Sequence, residues 1–203
     1  NTCNLSTILQ RLIALFTLFL VPVRGWEAPW FCHGHDCPQF TVVHTYEGFE
    51  ERFYNASHWI TVDVGITRKK EVIKALWKLI SYTKGANEES MFYSLTWHGD
   101  KCDQNGDGDE KHGSVSWPVS VGTHLPKPND ATIRETDMPA ATVYVRSFGG
   151  VASETNGREN LEKLKESIEA AGKSFVPDRF VAAGYDPPLR LINRHNEIWV
   201  FAD

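Results

Sequence analysis

The 203-residue chain is 41% hydrophobic and 23% charged, with 15 Gly and 10 Pro. Those proportions suit one ordinary domain with a real core and exclude a disordered or collagen-like chain. The formal net charge is -5 with no basic cluster, which argues against nucleic acid or an anionic membrane as a partner.

Residues 1–25 read as a secretory signal. Arg11 flanks an apolar run from Leu12 to Val21, and Pro22-Val23-Arg24-Gly25 closes it. The run is shorter than the about 20 residues that cross a bilayer. Cleavage near Trp26 would therefore leave no stable membrane anchor. Taking Arg11 and Arg24 from the 21 basic residues leaves 19 against 26 acidic ones, a net charge of -7. Export to the extracellular space permits disulfides. Cys32 and Cys37 bracket a short loop and are candidates for a local bond, although either can instead pair with Cys102. In an exported glycoprotein Asn55-Ala56-Ser57 is a glycosylation acceptor.

Residues 26–37, rich in aromatic, Pro and Cys residues, are expected to pack as an irregular N-terminal arm. Alternation predicts strands over 40–46, 49–54 and 59–64, with Glu47-Gly48 as a turn. Glu50, Glu51 and Arg52 read as exposed strand positions. A helical period runs over 68–83, with Val72, Leu76, Leu79 and Ile80 on one stripe and Ile73 and Trp77 widening it. Gly85 is a candidate C-cap. A strand is predicted over 91–97, a polar Gly-rich loop over 98–113, and extended chain over 114–119. A strand over 142–148 opens a second half. A helix over 157–171 follows, with Leu161, Leu164, Ile168 and Ala171 on its apolar stripe and Gly172 as its cap. Strands over 179–183 and 198–201 close the chain. The order strand, helix, strand, strand thus occurs twice. This predicts an α+β fold, a curved antiparallel sheet or distorted β-barrel with two helices.

Four segments carry a family resemblance. They are Phe49 to Val62, the helix exit Tyr82-Thr83-Lys84-Gly85-Ala86-Asn87, the strand Val143-Tyr144-Val145-Arg146-Ser147-Phe148-Gly149-Gly150, and the ending Gly184-Tyr185-Asp186-Pro187-Pro188 to Asn196-Glu197-Ile198-Trp199. In this order they resemble the SOUL/heme-binding-protein family over residues 38–203. The resemblance implies that heme or a related porphyrin is bound in an apolar cleft. Its wall is the first helix, here Ile73, Leu76, Trp77 and Ile80. Its other side is the loop before the last strand, here Tyr185 to Leu191, with Arg190 placed to fork to a propionate. Phe53 stands where some members carry a histidine taken as an iron ligand. His58 is the substitute candidate, with His44, His98 and His195 behind it.

Other chemistry is thin. Asp103, Asn105, Asp107 and Asp109 form the first half of a calcium-loop pattern, but Ser114 stands where the closing glutamate belongs. His33 and His35 beside two cysteines are a weak zinc or copper candidate, since export favours a disulfide over thiolate ligation. No nucleophile elbow, phosphate loop or His-Glu-x-x-His is present, so the expectation is a binding protein and not an enzyme. The alternative is a secreted interaction module of the same fold that has lost heme binding.

Overall fold

A computed structural model describes residues 26–34, 37–65, 69–87, 98–103, 112–119, 122–186, 190 and 192–203. Among them are nine strands and two α-helices: β1 (Phe40–Tyr46), β2 (Phe49–Tyr54), β3 (Ser57–Val64), α1 (Lys69–Thr83), β4 (His98–Asp103), β5 (His112–Val119), β6 (Ile133–Met138), β7 (Ala141–Phe148), α2 (Glu154–Ala170), β8 (Phe175–Gly184) and β9 (Asn196–Ala202). The strands form one curved antiparallel sheet in the order β1-β2-β7-β9-β8-β4-β5-β3-β6. It is not closed, and β1 and β6 are its edges.

The duplication seen in the sequence is spatial as well. Both β3-α1-β4-β5 and β7-α2-β8-β9 place their last strand between the other two. The two units meet where β4 pairs with β8. The strand before each unit crosses to the other one, so β2 pairs with β7 and β6 with β3. This exchange welds the halves into one sheet.

Both helices cover the same face. Along one register row Phe180 pairs with Cys102 and Cys102 with Gly113, and two positions beyond Gly113 lies Val115. Phe180 packs in the α2 core and Val115 in the α1 core. In α1, Ala75, Leu79 and Tyr82 are buried against Ile60, Val62 and Trp117, with Val72, Leu76 and Ile80 partly covered. In α2 the expected Leu161, Leu164 and Ile168 are buried. The helix begins three residues before the predicted start because the Ser153 side chain accepts from the Asn156 backbone N–H and caps it. Gly85 (φ 96°) and Gly172 (φ 69°) adopt the left-handed conformation that ends each helix.

Three expectations need correction. Residues 98–103 are not loop but strand β4, and residues 112–113 belong to β5. The segment has no apolar alternation, and its pairing to β5 and β8 overrides side-chain preference. Strand β6 was not expected, because Arg134, Glu135 and Asp137 give it the charge of a solvated edge. Arg52, read as exposed, is buried. It lies on the helix-free face, where Tyr54, Val143, Val145, Val181, Trp199 and Phe201 form a second core. The strand expected over 91–97 lies outside the described residues.

The N-terminal arm closes one end of that second core. Trp30–Cys32 make a single 3-10 turn, Phe31 and Cys32 are buried, and Cys32 is bonded to Cys37. Asn55 is exposed in the turn between β2 and β3.

Candidate functional site

The stripe assigned to ligand binding on α1 is present and in part uncovered. Ile73 is 42% and Trp77 59% exposed. Leu76 and Ile80 are partly buried against the α1 core. At spacings of three and four residues the four side chains form one continuous flank. Lys74 pairs with Glu71 and Lys78 with Asp130 beside it.

The other assigned residues are dispersed. Tyr185 is buried in the helix-free core, next to Phe31 and away from the α1 cluster. Its hydroxyl donates to Glu197 Oε2 at 2.7 Å. Arg190 is half-buried, with Nη1 3.1 Å from Asp186 Oδ1. Leu191 lies outside the described residues. His58 is bound on both sides, Nδ1 at 2.7 Å from Asp137 and Nε2 at 2.9 Å from Glu135. The hydrogen bond to Asp137 leads the effects that raise its pKa above the usual histidine value. A ring donating through both nitrogens has no lone pair for iron. Asp103 ends β4, while Asn105, Asp107 and Asp109 lie outside the described residues. Among the described residues no three His, Cys, Asp or Glu side chains are grouped to hold a metal.

The most elaborate polar arrangement was not anticipated. Glu197, the second residue of the closing strand β9, is fully buried. Its Oε1 accepts from Arg52 Nη1 at 3.0 Å and lies 2.8 Å from His195 Nε2. Its Oε2 accepts from Tyr185 Oη and Trp199 Nε1, each at 2.7 Å. Burial pushes its pKa up, yet the His195 bond, the Arg52 charge and the Tyr185 bond win and hold it at about 2. The carboxylate is therefore ionised, and His195 Nε2 must be a donor to it. Burial pushes the Tyr54 and Tyr185 hydroxyls well above the ordinary phenol range, so both stay protonated. A glutamate directly before the apolar run Ile198-Trp199-Val200-Phe201 was the available signal. Its partner on β2 was hidden by the assumption that Arg52 faces water.

A second buried carboxylate ties the arm to the loop before β9. Asp186 Oδ1 is 2.9 Å from His33 Nε2, and Oδ2 accepts from the His195 backbone N–H at 2.6 Å. Phe31 stacks on His195 with centroids 4.0 Å apart and planes 6° from parallel. The disulfide-closed arm, the loop and the Glu197 cluster thus share His195.

A family model described as SOUL heme-binding protein matches residues 35–201. Human heme-binding protein 2 is 28% identical over 157 residues, covering 75% of this chain and 77% of the relative. Mouse heme-binding protein 1 is 27% identical, covering 75% of this chain and 83% of the relative. Among solved structures, the EcmrR C-terminal domain superposes with a TM-score of 0.55 at 13% identity, over 81% of this chain and 98% of that one. A hydrolase from Listeria innocua gives 0.55 at 8% identity, over 76% and 91%. At such identities those two structures show a shared fold alone. The family match spans both repeat units and the closing strand, and the chain belongs to the SOUL heme-binding protein family.

Proposed function

We propose that this protein is a secreted carrier of heme or a related tetrapyrrole, held against α1 by apolar contact and without an axial histidine from this chain. The observation that carries this reading is the exposure of Ile73 and Trp77 on adjacent turns of α1. Large apolar side chains adjoining in solvent mark a surface meant to be covered. A porphyrin is a flat apolar disc that suits such a wall, and the relatives are named for binding heme. The engagement of both His58 nitrogens supports capture without ligation. Export is supported by the apolar leader of the sequence and by a disulfide in the arm. In an exported chain Asn55, exposed between β2 and β3, would be open to glycosylation.

A hemin titration followed by Soret absorbance and tryptophan quenching tests it. The expected result is a saturable one-to-one change with a broad spectrum. A sharp low-spin spectrum would overturn capture without a ligand. No saturable change in folded protein would favour the interaction-module reading.

A further inference from the structure

The helix-free face has two unlike halves. Toward β9 it is the apolar core around Glu197. Toward β6 it is polar, and it holds a cavity of about 180 Å³ lined by Trp59, Thr61, Ser116, Thr136, Arg179 and Val181, among others. Below the roughly 300 Å³ of drug-sized pockets, this volume holds a small molecule and not a tetrapyrrole. Its floor is a hydroxyl cluster. Thr61 Oγ1 is 2.9 Å from Ser116 Oγ and 2.6 Å from Thr136 Oγ1. Three hydroxyls carry more donor and acceptor capacity than two mutual bonds use.

Charge distinguishes the residues that line the cavity. Two arginines line it, and they differ. Arg134 is neutralised by Asp63, which it grips through Nε at 2.7 Å and Nη2 at 2.6 Å. Asp137, also at the wall, is engaged by His58. Arg179 stands otherwise. Its guanidinium carbon lies 3.8 Å from the centroid of Phe201, so the planar group is stacked and held in place. Its Nε is buried without a hydrogen-bond partner. Arg179 thus brings a fixed positive charge to the wall of the open volume, beside the hydroxyls, and among the described residues no carboxylate pairs with it.

We infer that this cavity is a second binding site, distinct from the α1 wall, for a small carboxylate with an apolar body. The carboxylate accepts from Arg179 and from the Ser116 or Thr136 hydroxyl. The apolar part lies against Trp59 and Val181. A bare inorganic anion would leave that apolar wall uncovered.

Benzoate is the probe and benzyl alcohol its uncharged counterpart, each titrated into the purified protein by calorimetry. Saturable benzoate binding is expected, with benzyl alcohol at least about tenfold weaker, as the loss of a charged hydrogen bond requires. Arg179→Gln should weaken benzoate by a similar factor. Should that variant fail to fold, Ser116→Leu, which fills the cavity from β5, should abolish binding in its place. Equal binding of the two probes, no saturable binding of benzoate, or unchanged affinity in a folded Arg179→Gln or Ser116→Leu protein would each overturn the site.

Discussion

Arg52 Nη1 donates to Glu197 Oε1 at 3.0 Å across β2 and β9, with Arg52 4% exposed and Glu197 fully buried. The two strands are not neighbours, since β7 lies between them. The pair therefore spans a strand and fixes the register of three at once. Removing Glu197 leaves Arg52 buried with Glu50, 2.7 Å from its Nε at the edge of the core, as its remaining carboxylate. Glu197→Gln should lower unfolding free energy by about 3–5 kcal/mol, the usual cost of breaking a buried pair. Urea unfolding measures it. A change below about 1 kcal/mol would show that water reaches the pair.

The same carboxylate sets an acid limit. Its pKa falls from an ordinary 4.5 to about 2 in the folded protein. A depressed carboxyl pKa contributes stability that is fully present above the unfolded value and is lost as pH falls toward the folded one. The window is thus roughly pH 4.5 down to 2, and the contribution is about 3 kcal/mol. Denaturation midpoints at pH 5 and pH 3 should differ far more in the wild type than in Glu197→Gln. Parallel pH profiles for the two proteins would assign the acid sensitivity elsewhere.

His58 acts in the opposite sense. Its pKa is raised, chiefly by the Asp137 bond. A raised histidine pKa gives stability that is complete below the unfolded value and declines as pH rises through the folded one. The site is largely exposed, so the effect is small. The His58 ring resonances, followed by NMR, should titrate at higher pH than an unperturbed histidine, and Asp137→Asn should bring them back down. An unmoved midpoint in that variant would discount the contact.

Legibility of this chain tracked how local each signal is. The second repeat, the α1 stripe and the Gly85 and Gly172 caps are short-range patterns, and they stand in the structure as read. Strand β4 was missed because Gly99, Asp100 and Lys101 carry no alternation, and only pairing to β5 and β8 makes them a strand. The Glu197 cluster was missed for a related reason. Its donors come from β2, from β9 and from the loop between β8 and β9, and no spacing in the sequence announces that Arg52 and Glu197 meet. The cavity beside Arg179 likewise draws on β3, β5, β6 and β8, so its hydroxyls are ordinary strand residues until the sheet assembles them.

The Cys32–Cys37 bond should act on the arm more than on the sheet. The closed loop is short, so the chain-entropy gain is about 2 kcal/mol. Cys32 is fully buried, with Phe31 stacked on His195 and His33 beside Asp186. Replacing both cysteines by serine should therefore loosen the arm and the loop before β9 together. Hydrogen exchange should rise at 30–34 and 192–196 and stay unchanged at α2. Uniformly faster exchange would mean that the arm supports the entire core.

Trp77 and Tyr185 separate ligand binding from stability. Trp77 is 59% exposed, so Trp77→Ala removes little buried area from the folded protein and should move the denaturation midpoint hardly at all. If α1 is the wall for heme, the same change removes apolar surface that the porphyrin covers. Hemin affinity should fall about fivefold or more, equivalent to about 1 kcal/mol of lost burial. Tyr185→Phe should do the reverse. It deletes a donor to a buried carboxylate, costing about 1–3 kcal/mol of stability, and leaves hemin affinity close to wild type because the hydroxyl points at Glu197. Hemin titration and urea unfolding of both variants form the test. Unchanged affinity in Trp77→Ala, with the protein folded, would remove α1 from the site. A large affinity loss in Tyr185→Phe would move the site to the loop and the Glu197 cluster beneath it.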